Sequence, residues 1–153
     1  MSAVTSNLPS LEVYNNQDSI ELSEVSIQRL CDAGNQALPL VLTYPANGGG
    51  VLSSLDEVEI SIVDDALIAQ VHVDFMGIEG ATDVITFAHG EVVISVETAI
   101  EYAAEYGHSH ERELMLYIIH GLLHLCGHED AEPEERAAME AIQFNLLEQV
   151  WGG

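Results

Sequence analysis

The stretch His120–Asp130 constrains the fold most, because it combines two histidines with a glycine that can stop a helix. It follows an apolar run, residues 114–119, that is typical of a buried helix. His120 and His124 are four residues apart, so on a helix they lie about 40° apart on one face. Gly127 can end this helix because glycine adopts positive φ without a Cβ clash. The chain can then bring a third polar side chain back to the two imidazoles.

This spacing predicts a metal site. Two imidazoles four residues apart can share one ion, and a hydrolytic zinc site adds one further protein ligand and keeps a fourth position for water. The third ligand has three candidates, which are His128, Glu129 and Asp130. We favour Asp130 over His128, since the spacing parallels that of metzincin proteases with a carboxylate in place of the last imidazole. Two imidazoles and one carboxylate form an established zinc set.

The alternative is that both histidines are ordinary core residues on an apolar helix face. The glycine and the acid that follow them favour the metal site instead. Cys126 lies off the face of the histidine pair, so we interpret it as a small packed residue.

Gly121 bears on the chemistry. A zinc protease of the His-Glu-x-x-His type carries its general base directly after the first histidine. Glycine cannot accept a proton, so peptidase chemistry of that type is disfavoured. A glycine here is also expected to leave room beside the metal for a larger group.

The composition is strongly acidic, with 26 acidic against 3 basic side chains and a net charge of −23. The electrostatic field of such a charge repels phosphate backbones at long range. A charge of this size is typical of a surface adapted for solubility or salt. With 48% hydrophobic residues, global disorder is excluded. We expect one domain over residues 1–153, with a loose tail over residues 1–10.

The expected setting is soluble, reducing and cytoplasmic. Cys31 and Cys126 do not form a disulfide framework. Residues 1–10 lack the basic and apolar regions of a signal peptide. No apolar run approaches the roughly 20 residues that a membrane span needs.

The apolar periodicity predicts an α+β fold with a small mixed sheet of about four strands, about five helices packed on it, and the metal helix over the sheet. Pro39 is expected to end the first helix, and residues 45–50 form a flexible turn. The predicted strands are 11–14, 58–63, 84–87 and 92–95, the last two as a hairpin. The predicted helices are 23–38, 64–75, 96–106, one from Ser109 through the histidine pair, and 133–150.

His120–Asp130 resembles the signature of the YbeY family of bacterial endoribonucleases, His-Gly-x-Leu-His-Leu-x-Gly-Tyr-Asp-His. Residues 82–87 and 90–95 resemble that family's Thr-Asp-Val-Leu-Ser-Phe and Gly-Asp-Ile-Val-Ile-Ser strands. Residues 104–114 are similar to the family's approach to the metal helix. The match is dense over about residues 56–130.

The resemblance implies an α+β fold with a metalloprotease-like cleft between the sheet and the metal helix. It implies a zinc-dependent, single-strand-specific ribonuclease that matures the 3′ end of small-subunit rRNA and takes part in ribosome quality control. The implied partners are RNA and the small ribosomal subunit or its assembly factors, with no membrane partner.

The sequence departs from the family pattern at four positions. His128, Glu129 and Asp130 stand where the motif has tyrosine, aspartate and histidine. Upstream, residues 75–77 read Phe-Met-Gly where the family has Tyr-Arg-Gly, so Met76 replaces an arginine thought to contact RNA. The site keeps three ligands, but its RNA-binding surface has to differ.

The chemistry expected from these residues is metal-assisted phosphodiester hydrolysis, with His120, His124 and Asp130 holding Zn²⁺. Glu129 is the first choice as proton acceptor. Asp83 and Ser95 are second choices, as partners of a ligating imidazole.

RNA contacts are expected from Arg112 and Arg136, the arginines near the motif. Arg112 could instead pair with Glu101 or Glu113. Backbone amides of residues 77–80, or cations of a ribosomal partner, are the other sources.

Two alternatives stay open. One is a zinc hydrolase of another substrate class, similar to a peptidase. The other is a non-catalytic ribosome-assembly binding protein with a structural metal. Four protein ligands, with His128 or Glu129 closing the site, would indicate the structural role.

Overall fold

The fold is a four-stranded sheet covered by helices, and the computed structural model describes it over residues 8–152. Two short 3-10 turns, Asn47–Gly49 and Leu52–Ser54, join the first helix to the second strand. The elements in chain order are β1 (Ser10–Asn15), α1 (Glu24–Val41), β2 (Glu57–Val63), α2 (Asp65–Met76), β3 (Val84–Thr86), β4 (Glu91–Ser95), α3 (Val96–Tyr106), α4 (His110–Leu125) and α5 (Pro133–Val150).

The sheet is mixed, with strand order β1-β2-β4-β3. Strands β1, β2 and β4 are parallel, and β3 pairs antiparallel with β4. Ile60 lies opposite both Val13 and Val92 in this register. The predicted α+β class, the hairpin and the order of the elements are therefore confirmed.

Alternation along the strands buries both faces of the sheet, because successive side chains point to opposite sides. The main core combines one face with α1, α4 and α5 and includes Leu11, Ile60, Val92 and Ile94. A smaller cluster, in which Val93 packs against Ile68 of α2, covers the other face. None of the helices within residues 8–152 is both long and apolar enough to cross a membrane.

The predicted helix boundaries are confirmed where capping residues mark them. The Ser95 hydroxyl accepts from the Thr98 amide at 3.2 Å and begins α3. The Ser109 hydroxyl accepts from the Arg112 amide at 3.1 Å and begins α4. Gly107 ends α3 in the left-handed conformation. These caps satisfy backbone groups that a helix end leaves without partners.

Two predictions at the amino-terminal side need correction. Pro39 does not end α1 but lies within it, and the helix continues to Val41. The proline removes only one backbone donor near the helix end, Val41 is fully buried, and the Leu42 amide still donates to the Leu38 carbonyl at 3.2 Å. The predicted tail over residues 1–10 falls mostly outside the described residues, but Ser10 is already part of β1.

The glycine-rich residues 45–50, predicted as a flexible turn, pack against the end of α4. The Ala46 amide donates to the Cys126 carbonyl at 3.2 Å, and the Val51 amide donates to the Leu125 carbonyl at 2.8 Å. These bonds satisfy carbonyl groups that the end of α4 would otherwise leave free.

Gly127 makes this docking possible in two ways. Its φ is +102°, a conformation that residues with a Cβ rarely adopt. A Cβ at this position would lie 1.8 Å from the Ala46 carbonyl oxygen. The chain can therefore leave α4 in the required direction only if residue 127 has no side chain.

Gly121 has a different role from the one expected. A Cβ here would lie 2.6 Å from Cγ1 of Val92 on β4. The glycine therefore allows α4 to approach the sheet closely, and it does not provide space beside the histidines. A glutamate at this position would clash with the sheet.

We predict that Gly127→Ala destabilises the protein more than Gly107→Ala. Both glycines have positive φ, which costs a residue with a Cβ about 1–2 kcal/mol. A Cβ at Gly107 has no atom within 4 Å, so that variant measures the backbone cost alone. Gly127→Ala also forces the 45–50 segment to move, at about 1–3 kcal/mol more. Urea unfolding of both variants measures the difference, and equal losses would contradict this role of Gly127.

Candidate metal centre

Helix α4 places the two histidine rings at its carboxyl-terminal end, one turn apart. The Nε2 atoms of His120 and His124 are 3.0 Å apart. The ring planes are nearly perpendicular, at 82°. Both Nε2 atoms therefore face the same point, as the spacing predicts.

The chain after Gly127 brings Asp130 to that point. Asp130 Oδ2 lies 3.4 Å from His120 Nε2 and 3.6 Å from His124 Nε2. His120, His124 and Asp130 thus form the metal-ligand group, whose ligand atoms all lie within 4.8 Å of one another. Ligand atoms on a tetrahedral ion with bonds of about 2.0–2.2 Å are about 3.3–3.6 Å apart. The two distances to Asp130, 3.4 and 3.6 Å, fall in that range, and the His120–His124 distance of 3.0 Å is shorter.

The other ring nitrogen of each histidine is held by the protein. His120 Nδ1 lies 2.8 Å from Gln143 Oε1, and His124 Nδ1 lies 3.0 Å from the His128 carbonyl oxygen. Both partners are acceptors, so each Nδ1 carries the proton and donates it. Each Nε2 then presents a lone pair to the common point, which is the form that binds a metal.

Gln143 is a candidate functional residue that the sequence reasoning missed. It lies on α5 and is only 6% exposed, although glutamine is rarely buried. Its neighbours on the same helix face, Met139, Leu146 and Leu147, are buried. A glutamine within this apolar face was the signal in the sequence that could have identified it.

The loop that carries Asp130 is bound by the side chain of Arg136, which lies on α5. The Arg136 side chain donates to the carbonyl oxygens of Asp130 and Ala131, at 3.3 and 3.5 Å. The side chain of Glu135 accepts from the backbone of Glu132 at the start of α5. Arg136 therefore positions the backbone of the acidic ligand candidate, and it also lines the cavity that reaches His120 and Asp130.

The environment favours the neutral imidazole of His124. Burial, followed by the charge of the neighbouring His120, lowers the pKa of His124, and the charge of Asp130 opposes this only in part. A histidine with a lowered pKa stays unprotonated at neutral pH. Metal ligation requires that form.

Three other side chains near the motif do not join the group. A ring nitrogen of His128 contacts the Tyr44 carbonyl oxygen, so the ring is directed away from the histidine pair. Glu129 is exposed. Cys126 is buried, its Sγ lies 3.6 Å from the Val41 carbonyl oxygen, and burial raises the pKa of its thiol. The interpretation of Cys126 as a packed residue is confirmed.

The two second-choice residues lie in different places. Ser95 is fully buried, caps α3 and donates to Asp65 Oδ1, so it serves the fold. Asp83 lines the same cavity as His120 and Asp130. One of its oxygens accepts from the Val84 amide at 2.8 Å, which orients the carboxylate.

Two cavities reach the three ligand residues. The larger, of about 640 Å³, lies between α3, α4 and α5 and reaches His120 and Asp130. The smaller, of about 390 Å³, lies between β3 and α4 and reaches His124. The smaller cavity lies where the resemblance implied a cleft, between the sheet and the metal helix, and the larger one is an additional space between helices.

The three arginines are all engaged within the protein. Arg112 contacts Glu148 of α5 at 3.0 Å, and not Glu101 or Glu113 as the sequence suggested. Arg29 stacks on the Trp151 ring at 3.7 Å. With Arg136 bound to its loop, each of these cations is already satisfied by a protein group.

Comparisons with known proteins agree with the motifs. The family model described as Endoribonuclease YbeY matches residues 12–151. The chain is 34% identical over 152 residues to the endoribonuclease YbeY of Symbiobacterium thermophilum, covering 88% of this chain and 93% of that protein. It is 38% identical over 116 residues to the endoribonuclease YbeY of Frankia alni, covering 63% of this chain and 64% of that protein.

A solved structure shares the fold. The solution structure of a protein from Thermotoga maritima matches with a TM-score of 0.59 and 25% identity, over 93% of this chain and 89% of that one. The resemblance inferred from the motifs is thus confirmed well beyond residues 56–130.

We predict that Gln143→Leu weakens metal binding about 10- to 100-fold, the usual effect of losing a hydrogen-bond partner of a ligating histidine. The His120 Nδ1 proton would then lack its acceptor. Gln149→Leu is the matched control, because Gln149 lies on the same helix but is exposed and bonds only Asn145. Competition with a zinc-binding dye measures both affinities. Equal affinities in the two variants would refute the role of Gln143.

Proposed function

The chain belongs to the YbeY family of endoribonucleases, and on that premise we propose that it cleaves single-stranded RNA by metal-assisted hydrolysis of a phosphodiester. His120, His124 and Asp130 would hold the ion. The observation that carries this proposal is the convergence of their three ligand atoms within 4.8 Å. The proposed cellular substrate is the 3′ end of small-subunit rRNA, in cytoplasmic ribosome maturation and quality control with the small subunit or its assembly factors as partners.

Zinc is the ion that the donor set favours. Two imidazoles and one carboxylate are a common catalytic zinc set, whereas magnesium and calcium prefer oxygen ligands. When bound, such an ion supplies the Lewis acidity that generates a nucleophile from water near neutral pH and polarises a phosphoryl oxygen.

A residue near the ligands would have to accept a proton during hydrolysis. Asp83 is better placed than Glu129 to accept a proton, since it lines the cavity that reaches His120 and Asp130. Only one Asp83 oxygen is held by a backbone amide, so the other can take the proton. Glu129 is exposed and does not line that cavity, which makes it the weaker candidate.

The alternatives have less support. A structural metal would need a fourth protein ligand, yet His128 is directed toward the Tyr44 carbonyl and Glu129 does not join the group found among residues 8–152. Peptidase chemistry of the His-Glu-x-x-His type would need a carboxylate at Gly121, where even a Cβ meets Val92.

The charge of the protein limits how RNA is bound. At −23, the molecule repels phosphates, and the three arginines are engaged in internal contacts. Arg112 and Arg136 line the larger cavity but are already paired within the protein, so we expect most RNA contacts to come from uncharged groups or from cations of a ribosomal partner. This arrangement suits an enzyme that acts on RNA presented by another particle.

We predict that Asp130→Ala and His124→Ala lose bound zinc and RNA cleavage together, while His128→Ala keeps its zinc. Asp130 and His124 each provide one of the converging atoms, whereas His128 contacts the Tyr44 carbonyl. Zinc stoichiometry by elemental analysis and cleavage of a single-stranded RNA measure both properties. Full zinc content in Asp130→Ala would exclude it as a ligand, and a zinc-loaded wild type that cleaves no RNA, alone or with small subunits, would refute the nuclease proposal.

We also predict that RNA binding by the isolated protein strengthens as monovalent salt rises from about 20 to about 150 mM. Salt screens the repulsion between the acidic protein and the phosphates. Most RNA-binding proteins show the opposite trend, because their cations release counterions from the nucleic acid. Fluorescence anisotropy with a labelled single-stranded RNA checks the sign, and a steep loss of affinity with salt would indicate a cationic RNA surface.

A further inference from the structure

The two edges of the sheet differ in how they are protected. At the β1 edge, the Leu11 amide donates to Asn35 Oδ1 at 3.0 Å, and Asn35 Nδ2 donates to the Leu11 carbonyl at 2.9 Å. The Asn35 side chain of α1 thus occupies the place that a further strand would need. At the other edge, β3 is the last strand in the sheet order, and no strand within residues 8–152 pairs with its outer side.

The pairing of β3 with β4 shows which backbone groups of β3 point outward. The Phe87 amide donates to the Glu91 carbonyl at 2.8 Å, so the backbone groups of Phe87 face β4. These groups alternate in direction along an antiparallel strand, and those of Val84 and Thr86 therefore point away from β4. The Val84 amide donates to Asp83 Oδ1 at 2.8 Å. The Thr86 amide and the carbonyls of Val84 and Thr86 are left for a further strand.

The smaller cavity lies along this open edge. Val84, Thr86 and Ala88 line it on the β3 side, and Leu125 lines it on the α4 side. Among the residues 8–152 that can line it, the cavity meets no acid, lysine or arginine, although the chain carries 26 acidic side chains. An uncharged channel beside an unpaired strand suits an extended segment that brings its own backbone donors and acceptors.

Exposed apolar side chains continue this surface at the end of α2. Met76 lines the cavity and is 49% exposed, and its chain neighbours Phe75 and Ile78 are 69% and 52% exposed. Single exposed apolar residues are ordinary, but a group of large ones beside a cavity is typical of an interaction site. The open edge and this apolar group together indicate a surface for a partner.

Charge selects the class of partner. At −23, the protein repels a second copy of itself, and it repels RNA, whose phosphates meet no lysine or arginine in this lining. The same field attracts a segment rich in lysine and arginine. An extended polypeptide also matches the alternating donors and acceptors of a strand edge, which a sugar–phosphate chain does not.

We propose that the outer edge of β3 is a docking site for an extended, basic segment of a partner protein, which adds to the sheet as a fifth strand. Its backbone pairs with Val84 and Thr86, and its alternate apolar side chains enter the smaller cavity. Because His124 lines the same cavity, the docked segment brings its cations beside the metal-ligand group. A role of these cations in holding RNA rests on the proposed function, whereas the docking itself requires no RNA.

The first test titrates the full chain with a capped peptide of alternating lysine and valine, observed by NMR. We expect saturable binding that protects the Thr86 amide from hydrogen exchange, because this amide gains a strand partner. Binding should weaken as monovalent salt rises from about 20 to about 150 mM, the opposite sign to that expected for RNA. The control peptide has glutamate in place of lysine. No binding of the lysine peptide, or equal binding of both, would overturn the proposal.

Peptides that are N-methylated at alternate residues separate strand pairing from general charge attraction. Successive amides of a strand point to opposite sides, so only every second peptide amide faces β3. We expect one set of N-methyl groups to abolish binding and the complementary set to be tolerated. Equal affinities of the two methylated peptides would contradict the addition of a strand.

Two protein variants test where the peptide binds. Met76→Arg places a cation in the cavity lining and should weaken binding roughly tenfold or more, because like charges across an interface are unfavourable. Leu67→Arg is the matched control, since it makes the same change of charge on α2 at a residue that is 44% exposed and does not line the cavity. Circular dichroism checks that both variants fold. Equal affinities would place the peptide elsewhere and overturn the proposal.

RNA and a second copy of the chain are the competing occupants. If single-stranded RNA alone protects the Thr86 amide and displaces the peptide, the cavity is an RNA site and the docking proposal fails. It also fails if the protein alone sediments as a dimer with this amide protected. Peptide binding by a protein that cleaves no RNA would refute the nuclease proposal and keep the docking site. RNA cleavage without peptide binding would do the reverse.

Discussion

The close approach of Gly127 to the Ala46 carbonyl is the contact on which the rest of the site depends. It determines where α4 ends and in which direction the chain leaves it. The backbone bonds from the 45–50 segment satisfy the last carbonyls of the helix, so this end does not fray. From this turn the chain leads Asp130 back to the two histidines, where Arg136 also holds its backbone. The 45–50 segment, which resembles a simple linker in the sequence, therefore helps to position the metal-ligand group.

Helix α4 both forms part of the hydrophobic core and carries two of the ligand candidates. Most of its length is buried in the core, and its last turn carries two of the ligand candidates. Gly121 brings the helix against β4, and Gln143 of α5 holds the ring of His120. The histidines are thus oriented by core packing. Changes in the core should alter metal affinity as well as stability, because the same contacts serve both.

All three arginines of this acidic chain make contacts within the protein. Arg29, Arg112 and Arg136 stack on an aromatic ring, join α4 to α5, and hold the loop of Asp130. With all three used to hold the protein together, the molecule has little attraction for phosphates.

The local features of this protein were determined by its sequence, since they depend on residues close together in the chain. The spacing of His120 and His124 placed their rings on one helix face, Ser95 and Ser109 marked helix starts, and Asp130 was expected within reach of the histidines. Tertiary structure alone decided the contacts between distant segments. It paired His120 with Gln143, directed Arg112 to Glu148, placed the 45–50 segment against Gly127, and formed the cavity between α3, α4 and α5. The physical reason is that helical periodicity states which residues share a face, but only the packing of helices and strands decides what that face meets.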